Sequence, residues 1–343
     1  MTTKALNIFS LSLVALAISL VVTKNLQPTG LPTLLNVSYD PTREAYQEIN
    51  AAFVEKYEKE TGQHFRLEQS HGGSSRQSRA VAEGLAADVV TLALPSDIQA
   101  LADRGFIAHD WAGRFPNASQ PYFSTIVFVV RKSNPRNIKD WPDLITPGIA
   151  IVTPDPKTSG NGKLSVLAAW GSVIRRGGSE DEARAFLTQL YGHAAFQGQG
   201  AREAATKFAL EKEGDVHLTW ENEALREIEE SKGELEIVYP QASIRAEPSV
   251  TWVDAYVAKH HSEAAAKAYL AFLFTGPAQE IFARHGYRPS SDDVLAKHRD
   301  QFPKIDLFPI TLLANDWNEA QTKFFGENGI FEIIRPSSPP YSK

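Results

Sequence analysis

Short apolar runs alternate with amphipathic stretches along most of the chain, and that alternation predicts an α/β protein built on parallel sheet. Residues 34–39 read as a strand. Asp40-Pro41 then opens a helix with a capping residue followed by proline, and Tyr46, Ile49, Phe53 and Tyr57 recur at helical spacing until Gly62. A strand over 64–69 runs into Ser70-His71-Gly72-Gly73-Ser74, and a helix is expected over 75–83. Residues 88–94, rich in Val and Leu, predict a strand buried on both faces. Ser96 caps the helix after it.

Further strands are expected over 124–131 and 149–153, followed by a helix over 164–174 and an amphipathic helix over 182–191. Gly198-Gln199-Gly200-Ala201 opens another helix, and a strand over 216–220 leads into a helix over 221–230. Residues 234–239 and 249–258 read as two more strands. The rest of the chain is predicted helical over 262–274, 277–285 and 314–325.

At the start of the chain Lys4 precedes an apolar run from 8 to 22, and the polar residues Lys24, Asn25 and Gln27 follow. This is the pattern of an export signal, and the run is short beside the roughly 20 residues of a full span. A small-x-small cleavage site is missing near 22–30, so an uncleaved anchor stays open. The expected location is periplasmic or otherwise extracytoplasmic, with the folded part beginning near Leu34.

Composition narrows the function. A chain of 343 residues is long enough for two domains. With 43% hydrophobic and 22% charged residues it has the balance of a globular protein with a large core. The formal net charge of −6 and the lack of a basic stripe argue against a nucleic-acid partner. Cysteine is absent, which removes disulfides, thiolate metal sites, a cysteine nucleophile and a lipid-modified cysteine anchor.

Asp40, Gly72-Gly73-Ser74, Ser159-Gly160-Asn161 and Gly200-Ala201 each fall where a helix is predicted to begin. Helix N-termini carry unpaired N–H groups and the positive end of the peptide dipoles, so four of them from two domains could converge on one small oxyanion. Other chemistries fit less well. Ser159-Gly160-Asn161-Gly162-Lys163 lacks the spacing of a phosphate loop and is followed by Leu164 rather than a hydroxyl residue. A serine hydrolase using the glycines beside Ser74 as an oxyanion hole is the rival from another class, but no G-x-S-x-G is present. His71 is expected to tie neighbouring loop peptides in place. His260 and His261, adjacent in sequence, face different ways and read as a solvated pair rather than metal ligands. Arg76 and Arg202 sit just inside two helix starts, where a cation opposes the dipole unless a partner or ligand takes it.

The strings LLNVSYDPTRE (34–44), SHGGS (70–74), DVVTLAL (88–94), PKTSG (156–160), LAAWG (167–171) and WENEA (220–224) resemble, in order, the periplasmic sulfate-binding proteins. The resemblance spans nearly all of the chain after residue 33. It implies a two-lobed, type II-like Venus-flytrap binding protein, each lobe a mainly parallel sheet flanked by helices, with no catalytic activity, cofactor or metal. Residues 1–33 would be signal or anchor plus linker, 34–123 the first part of lobe one, 124–248 lobe two, and 249–343 the return to lobe one with C-terminal helices that lobe two shares.

The implied ligand is sulfate, with thiosulfate and then molybdate or tungstate as alternatives, handed by a monomer to the permease of an ATP-driven importer. Carried over motif by motif, Asp40, Ser74, Gly160, Asn161 and Ala201 would offer backbone N–H groups, Ser159 its hydroxyl and Trp220 its indole N–H. His71 and Arg202 would stand behind them. Asn161 replaces the glycine usual in the family, and Lys163-Leu164 replaces a common arginine-tryptophan pair. Because the implied site holds the ion by neutral donors alone, removing the Lys163 charge is expected to matter little.

Overall fold

The computed structural model describes residues 33–334; the apolar run expected as an export signal lies outside them. Nine strands form two main sheets: β1 (Thr33–Tyr39), β2 (Arg66–Gly72), β3 (Val89–Leu92), β4 (Ile126–Arg131), β5 (Ile151–Pro154), β6 (Ala194–Gly198), β7 (Val216–Trp220), β8 (Leu235–Val238) and β9 (Ser249–Trp252). The first sheet has the order β9-β3-β1-β2 and the second β6-β5-β7-β4-β8. Connections among β1, β2 and β3 and among β5, β6 and β7 are parallel. The strands that bring the chain into each sheet from the other, β4 and β9, lie antiparallel to their neighbours.

Burial explains why these segments are strands. Val89, Val90 and Leu92 of β3, and Ile126 to Val130 of β4, are all at most 1% exposed, so helices must cover both faces. Helices α1 (Arg43–Thr61), α2 (Ser74–Ala82) and α3 (Pro95–Ala102) accompany the first sheet. Helices α4 (Gly160–Arg175), α5 (Glu180–Gly192), α6 (Ala201–Ala205) and α7 (Glu221–Glu230) accompany the second. α4 is buried on nearly every side, as its apolar sequence requires. α5 starts at a reciprocal cap in which Ser179 Oγ accepts from Glu182 N at 3.2 Å and Glu182 Oε2 accepts from Ser179 N at 2.7 Å.

Two segments pass between the sheets and run side by side: Ser124 N donates to Ala246 O at 3.1 Å, and Ala246 N donates to Ser124 O at 2.9 Å. Near them Arg288 grips both oxygens of the fully buried Glu221 at 2.6 and 2.8 Å. The C-terminal helices Trp317–Phe325 and Ile330–Ile334 close over the second sheet's layer, with Phe324 5.2 Å from Trp170 and Phe331 5.0 Å from Tyr191 between ring centres.

Four local expectations are corrected, the first being Ser96, which does not cap α3 but is its second residue, with Leu94 at the cap position. The strand expected over 249–258 ends at Trp252, and Asp254–His260 is a helix, because Val253 and Val257 are both buried at a helical spacing of four. Asp40 does not cap the helix that follows. It is the first residue of a short 3-10 turn, and its carboxylate stands 3.5 Å from Arg43. His260 is not simply solvated: its Nδ1 lies 2.9 Å from Asp88 Oδ1, while His261 ends the helix in left-handed geometry.

Candidate functional site

Strand register assembles the site. Tyr39 pairs with Gly72 at the carboxyl ends of β1 and β2, so Asp40 and Gly73-Ser74 leave the first sheet side by side. Pro154 pairs with Gly198 in the second sheet, which brings the start of α4 and the start of α6 to a common edge. Asp40, Ser74, Ser159, Gly160, Asn161, Ala201 and Trp220 all line one small cavity between the two sheets' edges, together with Tyr39. Its volume is about 10 Å³, far below the roughly 300–1,000 Å³ of pockets that take drug-sized ligands. Its occupant must be compact.

The lining donors are neutral. Ser74, Gly160 and Ala201 are the first residues of α2, α4 and α6, where backbone N–H groups have no intrahelical acceptor. Asn161 is the second residue of α4 and needs no left-handed backbone, so its N–H serves as glycine's would. Its side-chain amide donates to Leu218 O of β7 at 3.2 Å, tying the helix start to the strand that ends in Trp220. Ser159, 2% exposed, precedes α4 without capping it, which leaves its hydroxyl uncommitted. Trp220 is fully buried against Tyr39, with ring centres 5.3 Å apart. Its indole N–H has no acceptor among the described residues, whereas Trp111, Trp141, Trp252 and Trp317 each donate to a protein oxygen.

Ser74 differs from Ser159. Its hydroxyl donates to Asp97 Oδ2 at 2.6 Å and accepts from Ala93 N at 3.0 Å, so only its backbone faces the task. Such a hydroxyl, spent on a carboxylate and not bonded to an imidazole, is not that of a hydrolase nucleophile.

Of the nearby charges, Arg202 and Lys163 are paired with carboxylates, whereas Arg76, beside Gly72, makes no ion pair among the described residues. Arg202 makes a two-pronged contact with Glu44, 2.9 Å to each oxygen, and reaches Glu223 at 3.3 Å. Those carboxylates hold its guanidinium firmly protonated despite burial. Lys163 reaches Asp97 at 3.2 Å, both side chains about 5% exposed. Asp97 also accepts from Ser74 and Ser75. Burial raises the Asp40 carboxyl above its ordinary range, against the pull of Arg43 and Arg76. His71 sits by the Tyr39 backbone, and burial, with Arg43 second, pushes its imidazole down to about 4. It is therefore neutral at ordinary pH.

Two of these pairs span the space between the sheets, Arg202 with Glu44 and Lys163 with Asp97. Arg76 N also donates to Thr158 O at 3.3 Å. The approach is close enough that only glycine fits at two contacts. A Cβ on Gly73 would overlap Thr158 O and stand 2.7 Å from Gln199 O, and one on Gly200 would overlap the Asp40 carboxylate. Glu44, Asp97 and Glu223 were not evident as site residues in the sequence, because acids in the first turn of a helix are ordinary there. Their partners lie as far as 158 residues away.

Comparison with known proteins places the chain. The model of the family "Bacterial extracellular solute-binding protein" matches residues 34–288. The thiosulfate-binding protein of Pseudomonas aeruginosa is 45% identical over 88% of this chain and 91% of its own length. The sulfate-binding protein of Salmonella typhimurium is 46% identical over 88% and 92%. Among solved structures, the sulfate-binding protein SubI of Mycobacterium tuberculosis superposes with a TM-score of 0.78 at 30% identity, over 85% of this chain and 99% of that one.

Proposed function

The chain belongs to the bacterial extracellular solute-binding proteins, and from that premise we propose that it captures sulfate between two closing lobes and delivers it to a membrane permease driven by an ATPase. One observation carries the choice of ligand: a cavity of compact size lined by neutral, uncommitted donors, with Arg202 and Lys163 already neutralised by carboxylates. Asp40, Ser74, Gly160, Asn161 and Ala201 give backbone N–H groups, Ser159 its hydroxyl and Trp220 its indole N–H. His71 and Arg202 hold the loops behind them.

Sulfate carries no proton at neutral pH and only accepts hydrogen bonds. A hydrogen phosphate would need an acceptor in the same dry space, and an unmatched buried group costs about 1–3 kcal/mol, or tenfold to more than a hundredfold in affinity. The lobes of this reading divide near Ser124 and Ser249, where the chain passes between sheets. Residues 1–33 act as export signal or anchor, so deletion of residues 2–24 retains the protein in the cytoplasm; equal export of both forms refutes that part.

Calorimetric titration with sulfate, thiosulfate, molybdate and phosphate tests the function. Sulfate should bind tightest, with affinity flat from about pH 5 to 8 because neither the donors nor the imidazole of His71 titrate there. Equal affinity for phosphate, or binding lost with a single ionisation in that range, would overturn the assignment.

A further inference from the structure

Asp40, Glu44, Glu223 and Asp97 each have a cation: Arg43 stands 3.5 Å from Asp40, Arg202 holds Glu44 and Glu223, and Lys163 holds Asp97. Arg76 is placed differently. It is exposed on the first turn of α2, and its guanidinium makes no hydrogen bond or ion pair among the described residues. We propose that Arg76 draws sulfate to the mouth of the cleft and raises its rate of capture without holding the bound ion; the inference rests on the reading of the chain as a sulfate binder.

Position is the first ground. Gly72 and Asp40 both line the anion cavity, and Arg76 itself is not part of that lining. A Cβ on Gly72 would stand 3.0 Å from Arg76 Nη2 and 3.5 Å from its Nε, so the guanidinium lies along the loop that forms the wall. Burial raises the Asp40 carboxyl, and Arg43 and then Arg76 oppose that rise, which puts the Arg76 charge within electrostatic reach of the lining. The cation stands beside the donors rather than among them.

The charge balance of the encounter is the second ground. The chain carries a formal charge of −6 and its ligand is a dianion, so the overall field slows their approach and a cation at the mouth offsets it locally. The cavity lies between the edges of two sheets, and the ion therefore enters while the lobes are parted, when the first sheet offers only the donors of Asp40 and Ser74. Arg76 rides on the same helix as Ser74. In the closed arrangement its backbone N–H meets Thr158 O of the other lobe at 3.3 Å. A cation in the first turn of a helix opposes the peptide dipole, and no carboxylate bonded to Arg76 offsets that cost.

Stopped-flow mixing with sulfate, followed by tryptophan fluorescence, gives the association rate, and exchange of bound radiolabelled sulfate gives the dissociation rate. At about 0.01 M ionic strength Arg76→Gln should associate about threefold more slowly and Arg76→Glu about tenfold, with Arg76→Lys matching the unchanged protein. At about 1 M, where the screening length falls from about 30 Å to about 3 Å, the differences should vanish. Dissociation should be the same in all four proteins. Equal association rates at low ionic strength, a deficit that persists at high salt or is not rescued by lysine, or faster dissociation of Arg76→Gln would overturn the proposal, the last by placing the guanidinium on the bound ion. Sulfate affinity of the unchanged protein is read separately by calorimetry, so failure here leaves the proposed function standing.

Discussion

Replacing Lys163 by methionine keeps an unbranched side chain of the same reach to Cε and removes its ammonium. On the sequence alone that charge was expected to matter little, but the ammonium is buried and bonded to Asp97 across the gap between the sheets. Removing one member of a buried ion pair costs about 3–5 kcal/mol, because the other charge is left without compensation. Here Ser74 and Ser75 still donate to Asp97 at 2.6 and 2.8 Å, which reduces the loss to about 2 kcal/mol. The loss falls on the closed form, since parted lobes return Asp97 to water. It should therefore appear as sulfate affinity weakened by about thirtyfold, with little change in the unfolding temperature of the ligand-free protein. In a double-mutant cycle by calorimetry, Asp97→Asn in the Lys163→Met background should cost less than Asp97→Asn alone. Sulfate affinity unchanged by Lys163→Met, or strictly additive effects, would refute the idea that this pair acts in closure.

Gly73→Ala should fold, as its backbone at φ −58° suits alanine, yet bind sulfate about tenfold to a hundredfold more weakly because the methyl meets Thr158 O and Gln199 O; unaltered compaction in small-angle scattering on adding sulfate would count against it. The neutral His71 gives a stability term with a definite sign. Its imidazole is depressed from 6.5 to about 4 in the fold, so its contribution is complete above pH 6.5 and is lost as pH falls through about 4. Urea unfolding should lose less stability over that window in His71→Gln than in the unchanged protein, and parallel curves would contradict the depressed imidazole.

Much of this architecture was legible because it rests on local rules. β3 announces its burial through Val89, Val90 and Leu92, and helix starts mark where N–H groups are free, although α5 was expected from 182 and begins at Glu180 behind its Ser179 cap. Six of the site residues stood at those junctions, Trp220 came only from what the resemblance implied, and all seven line one cavity because parallel register sets the carboxyl ends of neighbouring strands together. The ion pairs were not legible. Nothing local distinguishes Asp97 from any other first-turn acid, and its partner Lys163 lies 66 residues on, in the other sheet's layer. The helix at Asp254–His260 was misread for a related reason: its apolar residues continue those of β9 without a break, and only the buried spacing of Val253 and Val257 separates helix from strand.

The central claim is that neutral donors alone hold the anion, and titration calorimetry of Trp220→Phe and Ser159→Ala with sulfate tests it most directly. Each change deletes one polar hydrogen, from the indole in the first case and from the hydroxyl in the second; Ser159→Ala keeps the packing nearly intact, whereas Trp220→Phe also removes three heavy atoms from a buried ring. A hydrogen bond to a charged group contributes about 1.5–3 kcal/mol, so each variant should bind sulfate about tenfold to more than a hundredfold more weakly, with the unfolding temperature of the ligand-free protein unchanged in Ser159→Ala and lowered in Trp220→Phe by the packing lost. Normal sulfate affinity in both variants would contradict the account.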